Sequence, residues 1–251
     1  MRFLILHVVI YVSFFVPAAY AEDSIDIPTR SGVTMEILYQ RAKDPPAHLI
    51  LFEGGPGVFK DLEFPGFLFG TRNDFRDKGF SVAAVNPPSD TNEDMRRGFR
   101  SSAEHVQDIE ILIQWLKKQK DVPVWLLGVS LGTQSVAWLG STVKEKLGGL
   151  ILISSKTRGK GISILDMDLY NIKVPVLIVH HKDDNCPGTP LSATNSILAK
   201  LENSPNAKMK LFDGGQIDGN APCFTGTPHT FHGIQNKVVD AISEFIKANI
   251  K

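Results

Sequence analysis

The chain has 251 residues, with 27 Lys and Arg against 27 Asp and Glu, so its formal net charge is zero. That balance gives no sign of a nucleic-acid or polyanion partner, and a 43% hydrophobic, 22% charged composition is that of an ordinary globular protein. The length suits one sizeable α/β domain better than two small ones.

The amino-terminal stretch differs from the rest. Arg2 precedes an apolar run from Phe3 to Val16, then Pro17 and the small-residue pattern Ala19-Tyr20-Ala21 before Glu22. This pattern predicts a secretory signal peptide over residues 1–21, cleaved after Ala21, and the run is short for a membrane span. The mature domain is then residues 22–251, exported to a periplasm or medium with no stable membrane anchor. In an exported chain the two cysteines, Cys186 and Cys223, predict one disulfide.

Ile25–Ile27 and Val33–Tyr39 read as a strand pair around Ser31-Gly32. Ala47–Phe52 is an apolar run stopped by Glu53-Gly54-Gly55-Pro56-Gly57, the pattern of a buried parallel strand entering a loop. A Phe- and Gly-rich segment, Val58–Gly70, leads to a short helix over Arg72–Lys78 and a strand over Phe80–Val85. Ser89–Arg100 is polar, lacks periodicity and is expected to be an exposed loop. Ser101-Ser102-Ala103-Glu104 has capping-box chemistry, and Val106, Ile109, Ile113 and Leu116 form the core stripe of the helix it opens.

Val122–Gly140 begins as an apolar strand, passes through Gly128-Val-Ser130-Leu-Gly132, and continues with helical spacing. A serine on so sharp a strand-to-helix turn needs side-chain-free positions two before and two after it. The N–H of Leu131, at the start of the new helix, would face an oxyanion formed beside the hydroxyl. Beyond the elbow, Gly149–Ile153 and Val174–His180 read as buried strands, separated by Ser154–Lys173. Pro190–Asn203 is helical in pattern, Lys208–Phe212 is a strand, and Gly214–Pro228 is a loop. Val238, Ile242, Phe245 and Ile246 give a terminal helix its apolar face. Alternating strands and helices predict a mostly parallel, doubly wound sheet with its reactive loops at the carboxyl ends of the strands.

A serine nucleophile needs a general base, and the base needs a carboxylate to orient it. After Ser130 the acid should follow a later strand. Asp184, just past Val174–His180, is the choice, with Asp183 the near alternative. The base must lie beyond it and before the last helix, where His229 is preferred over His232. Gly55, in the earlier glycine loop, is expected to supply the second oxyanion donor. His180, His181, Asp183, Asp184 and Cys186 would be poor metal ligands because they crowd one turn, so no metal and no other cofactor is expected.

The chain resembles the α/β-hydrolase fold superfamily over most of residues 30–250. The marks are Gly54-Gly55-Pro56-Gly57, Gly128-Val-Ser130-Leu-Gly132, Val179-His180-His181-Lys182-Asp183-Asp184 and Pro228-His229-Thr230-Phe231. It looks most like small secreted bacterial serine hydrolases without a large lid. The resemblance implies an acyl-enzyme mechanism with Ser130, Asp184 and His229 as the triad, and a small-molecule acyl substrate. Glu53 departs from the pattern, standing where His is usual. The expected activity is hydrolysis of a carboxylic ester or related acyl bond. The alternatives are a proline-type peptidase, because Gly-Gly-Pro-Gly also marks that group, and a non-catalytic binding protein on the same fold.

Overall fold

A computed structural model of the chain describes residues 22–59, 66–96 and 98–250; the expected signal peptide, 1–21, lies outside them. Eight strands form one sheet: β1 (Glu22–Arg30), β2 (Val33–Gln40), β3 (His48–Phe52), β4 (Ser81–Val85), β5 (Val124–Val129), β6 (Gly149–Ile153), β7 (Val176–His181) and β8 (Ala207–Phe212). The spatial order is β1-β2-β4-β3-β5-β6-β7-β8. The pairs β1–β2 and β2–β4 are antiparallel, and every pair from β4 through β8 is parallel.

β3, β4, β5, β6 and β7 are buried along their whole length because helices cover both faces. The two-residue alternation of a strand divides the side chains between the two layers. Ile50 and Phe52 pack with α3 (Ala103–Gln119), α4 (Gly132–Thr142) and α5 (Thr194–Lys200). Leu49 and Leu51 pack with α1 (Phe67–Gly70), α2 (Arg72–Asp77) and α6 (Gln235–Ala248). The edge strand β8 is half-solvated and carries Lys208 and Lys210, charges that discourage edge-to-edge pairing. Between β6 and β7 the chain makes only two single 3-10 turns, Ile164–Asp166 and Leu169–Asn171, so no large cap covers the carboxyl end of the sheet.

Three expectations shift. The cap of α3 is Ser102, whose hydroxyl accepts from the His105 N–H at 3.1 Å, one residue later than the Ser101 box. The helix expected over Pro190–Asn203 shortens to a 3-10 turn, Leu191–Ala193, and the two-turn α5. Ser89–Arg100 is not exposed throughout: Met95 and Arg100 are buried. What draws Arg100 inward is a set of backbone carbonyls, a cause that leaves no hydrophobic period in the sequence.

Candidate active site

β5 ends at the elbow. Ser130 has φ of 53°, a left-handed conformation that is costly for a residue with a Cβ and is held there by its surroundings. Its N–H donates to the Ile153 carbonyl at 3.0 Å, and its own carbonyl accepts from Thr133 Oγ1 at 2.6 Å and Thr133 N at 3.1 Å. The flanking glycines are required by contact. A Cβ on Gly128 would lie 2.5 Å from the Gly132 carbonyl oxygen, and one on Gly132 would overlap the Phe52 carbonyl. Leu131 follows as the first residue before α4, and its N–H has no partner among the described residues.

Asp184 follows β7 and is buried. Its Oδ2 lies 2.9 Å from His229 Nδ1 and accepts from Thr189 Oγ1 at 2.9 Å, while its Oδ1 accepts from the Cys186 N–H at 2.9 Å. Burial alone would raise the carboxyl pKa; the bonds from His229 and the Cys186 N–H outweigh it and hold the group below its ordinary value. His180, four residues earlier on β7, brings Nε2 to 3.5 Å from the same Oδ2, and burial lowers its own pKa. Asp183 points outward, its side chain 68% exposed and 3.9 Å from His181. Of the two carboxylates, Asp184 is the one brought to a histidine beyond it in the chain.

His229 sits in a 3-10 turn, Pro228–Thr230, with Pro228 fixing its first residue. The His229 carbonyl accepts from Ser154 Oγ at 3.1 Å. Its Nε2 is buried without a partner among the described residues, so no hydrogen bond links it to Ser130. His232 does not reach the acid; it pairs with Asp218 at 2.7 Å nearer the surface. Cys186 and Cys223 form a disulfide with their Cα atoms 4.7 Å apart, tying the turn after Asp184 to the loop before His229. With Cys186 in that bond, the sulfur considered as a metal ligand is occupied.

The glycine loop after β3 meets the elbow. A Cβ on Gly54 would lie 3.1 Å from Ser130 Cβ, so this loop passes directly beside the serine. Glu53, in place of the usual His, is buried and accepts from the Gly54 N–H at 2.9 Å and the Phe69 N–H at 2.9 Å. Burial pushes its carboxyl pKa up, against the lowering effect of those two bonds. The departure therefore supplies its own support for the loop. Gly66 makes room for it, since a Cβ there would lie 2.5 Å from Glu53 Oε1. Sequence reasoning missed two residues: Arg100, which bonds the loop's carbonyls, and Thr189, which shares the Asp184 carboxylate. Thr189 lies five residues after Asp184, and that proximity was its only signal.

A cavity of about 1070 Å³ lies between α1–α2 and the Asp218–Gly226 loop, with Phe67, Phe224 and Thr230 in its walls; Ser130, Asp184 and His229 do not line it.

The chain has the α/β-hydrolase fold, in a form without a large cap. A dienelactone hydrolase from Anabaena variabilis superposes with a TM-score of 0.71 at 11% identity, over 92% of this chain and 99% of that one. An esterase from Pyrococcus furiosus gives 0.67 at 14% identity, over 92% and 94%. An esterase from Butyrivibrio proteoclasticus, solved with ferulic acid bound, gives 0.61 at 15% identity, over 90% and 99%. No protein-family model and no curated protein matches the sequence.

Proposed function

We propose that residues 22–251 form one catalytic domain, a serine hydrolase that cleaves a carboxylic ester or related acyl bond through an acyl-enzyme on Ser130. The observation that carries this reading is a strained elbow serine at the carboxyl end of β5 and a buried Asp184–His229 couple at 2.9 Å beyond the carboxyl end of β7, with β6 between the two strands. Esterases and a dienelactone hydrolase among the structural neighbours agree with it at the level of the fold.

In the proposed mechanism Ser130 Oγ attacks the acyl carbonyl while His229 Nε2 takes its proton. Asp184 orients the ring through Nδ1 and stabilises the imidazolium. The oxyanion is held by the N–H groups of Gly55 and Leu131, neither of which has a partner among the described residues. His229 returns the proton to the leaving alcohol, and a water activated by the same imidazole then releases the acid. Ser130 and His229 must close to hydrogen-bond reach in the substrate complex, a tightening common to sites whose catalytic bonds are long without ligand.

The substrate is a small acyl compound taken at an uncapped site. The amino-terminal pattern and the disulfide support export. Among the described residues no helix is long and apolar enough to cross a membrane.

Labelling with a fluorophosphonate probe, followed by a chain-length series of nitrophenyl esters, tests the reading. Ser130→Ala should abolish labelling and lower turnover by roughly 10⁴–10⁶. A folded Ser130→Ala protein that still labels, or a wild-type protein that neither labels nor turns over any ester, overturns it; the second result favours the non-catalytic binding protein.

A further inference from the structure

Two buried ionisable side chains, Glu53 and Arg100, flank the glycine loop, and neither bonds to Ser130, Asp184 or His229. Arg100 is only 2% exposed, in the 3-10 turn Phe99–Ser101 that precedes α3. Its Nη2 donates to the carbonyls of Glu53, at 2.9 Å, and Gly55, at 3.2 Å. Its Nη1 donates to Ser135 Oγ on α4, at 3.1 Å. Gly57 allows this approach, because a Cβ there would lie 2.8 Å from Arg100 Nη2. Burial pushes the guanidinium down to about 10, while the nearby Glu53 carboxylate pulls it upward. At neutral pH the side chain is therefore a buried cation whose hydrogen-bond acceptors are mostly this one loop.

The consequence follows from peptide geometry. In a trans peptide the carbonyl and the following N–H point in opposite directions. Arg100 holds the Glu53 carbonyl on one side, so the Gly54 N–H faces the other, where Glu53 Oε1 accepts it at 2.9 Å. The Gly54 carbonyl accepts from the Gly57 N–H at 3.0 Å, which turns the Gly55 N–H away from that turn. The Gly55 carbonyl goes to Arg100. From Glu53 to Gly55, each carbonyl and the Gly54 N–H is thus engaged, and the Gly55 N–H has no partner among the described residues. Ser135 lies on the helix that opens just after Leu131, so one guanidinium joins the element carrying one free N–H to the element carrying the other.

We propose that Arg100 is a positioning residue for the oxyanion site: through the Glu53 and Gly55 carbonyls and Ser135, it fixes the Gly55 N–H relative to the Leu131 N–H. This rests on the serine-hydrolase reading and adds to it a division of labour. Arg100 stabilises the tetrahedral intermediate and contributes little to ground-state binding. A planar guanidinium spreads its donors over separate nitrogens in a fixed fork and so reaches acceptors on two elements, whereas lysine donates from a single atom with no fixed direction.

The test compares wild type, Arg100→Lys and Ser135→Ala for melting temperature, nitrophenyl ester kinetics and inhibition by an alkylboronic acid, whose tetrahedral adduct places an oxygen in the oxyanion site. Arg100→Lys should lower kcat by about 10²-fold with KM changed less than about threefold, and weaken boronate inhibition in parallel with kcat/KM. Ser135→Ala, which releases only one end of the guanidinium, should follow with a smaller loss of about 3- to 10-fold. If Arg100→Lys does not fold, the Ser135→Ala comparison decides alone. Folded variants that keep kcat and boronate affinity, or that lose KM and kcat without loss of boronate affinity, overturn the proposal while wild-type activity leaves the serine-hydrolase reading standing. A wild-type protein inert to both ester and boronate overturns the two together.

Discussion

Replacing both cysteines, Cys186→Ser with Cys223→Ser, separates stability from positioning. The bond joins residues 37 apart in sequence, for which the chain-entropy account gives roughly 4 kcal/mol, an upper value because strain and residual structure subtract from it. In a domain of this size that corresponds to a fall in melting temperature of about 8–16 °C. The catalytic effect has a separate origin. Cys186 lies inside the turn that shapes the acid: its N–H donates to Asp184 Oδ1, and its carbonyl accepts from the Thr189 N–H at 3.1 Å. On the other side, Cys223 belongs to a loop closed by the Gly219 N–H to the Gly226 carbonyl at 2.8 Å, which runs directly into Pro228-His229. Cutting the bond frees the loop before His229 to move against the turn after Asp184, and under the proposed mechanism a displacement of about 1 Å can cost 10²-fold in rate. The double variant should therefore lose about 10-fold or more in kcat at 25 °C, where it is still folded. Intact mass after alkylation, thermal melts and ester turnover with and without reductant give the three readouts. Two alkylatable thiols in the native protein would refute the bond. A double variant with a lowered melting temperature and full turnover would refute its catalytic role.

Asp184→Asn should lower kcat by about 10⁴, while Asp183→Asn, on an outward-facing side chain, should leave turnover within a few-fold; the reverse ranking transfers the role. His229→Ala should remove activity and His232→Ala should spare most of it, measured with the same ester and probe. Stability should also respond to acid with a definite sign. Because the folded pKa of Asp184 is depressed, its contribution is fully present above the ordinary carboxylate range near about 3.9 and is lost as pH falls through the folded value. Urea melts of wild type carried from neutral pH into the acid range should begin to lose this increment below the ordinary carboxylate range, and Asp184→Asn should show a shallower acid limb; parallel limbs would sink the assignment.

The sheet and the elbow were legible because both are governed by local, periodic constraints. Fully buried strands read as unbroken apolar runs, and Gly128 and Gly132 stand where any Cβ would meet backbone within ångströms of another element. The choice between Asp183 and Asp184 was less accessible, since both follow the same strand and only the turn decides which carboxylate faces inward. That decision is made by Thr189 and the Cys186 N–H, contacts across a tight loop that has no period. Arg100 was read as solvated because it sits in a polar stretch, whereas its burial is driven by carbonyls some 45 residues earlier. Glu53 was visible as a departure from the usual histidine, but its compensating bond to the Phe69 N–H required knowing that α1 folds back over the loop.

The site has two halves, held by different forces. Asp184 and His229 are joined by their mutual bond, Thr189 and the disulfide, while Ser130 and the glycine loop are held by sterics and by the buried side chains of Glu53 and Arg100. Nothing bonds His229 to Ser130 directly, so their relative placement must be set through a third element. That element is the end of β6. The Ile153 carbonyl accepts from the Ser130 N–H at 3.0 Å, and the next residue, Ser154, donates through Oγ to the His229 carbonyl at 3.1 Å. Ser154 itself has φ of 44° and donates its N–H to the Val179 carbonyl of β7 at 2.9 Å, so it is held from the strand that leads to Asp184. Two consecutive residues of one buried strand end thus reach both halves. The gap that the proposed mechanism requires Ser130 Oγ and His229 Nε2 to close is then set by the sheet, and the loop ahead of His229 contributes through its covalent tie.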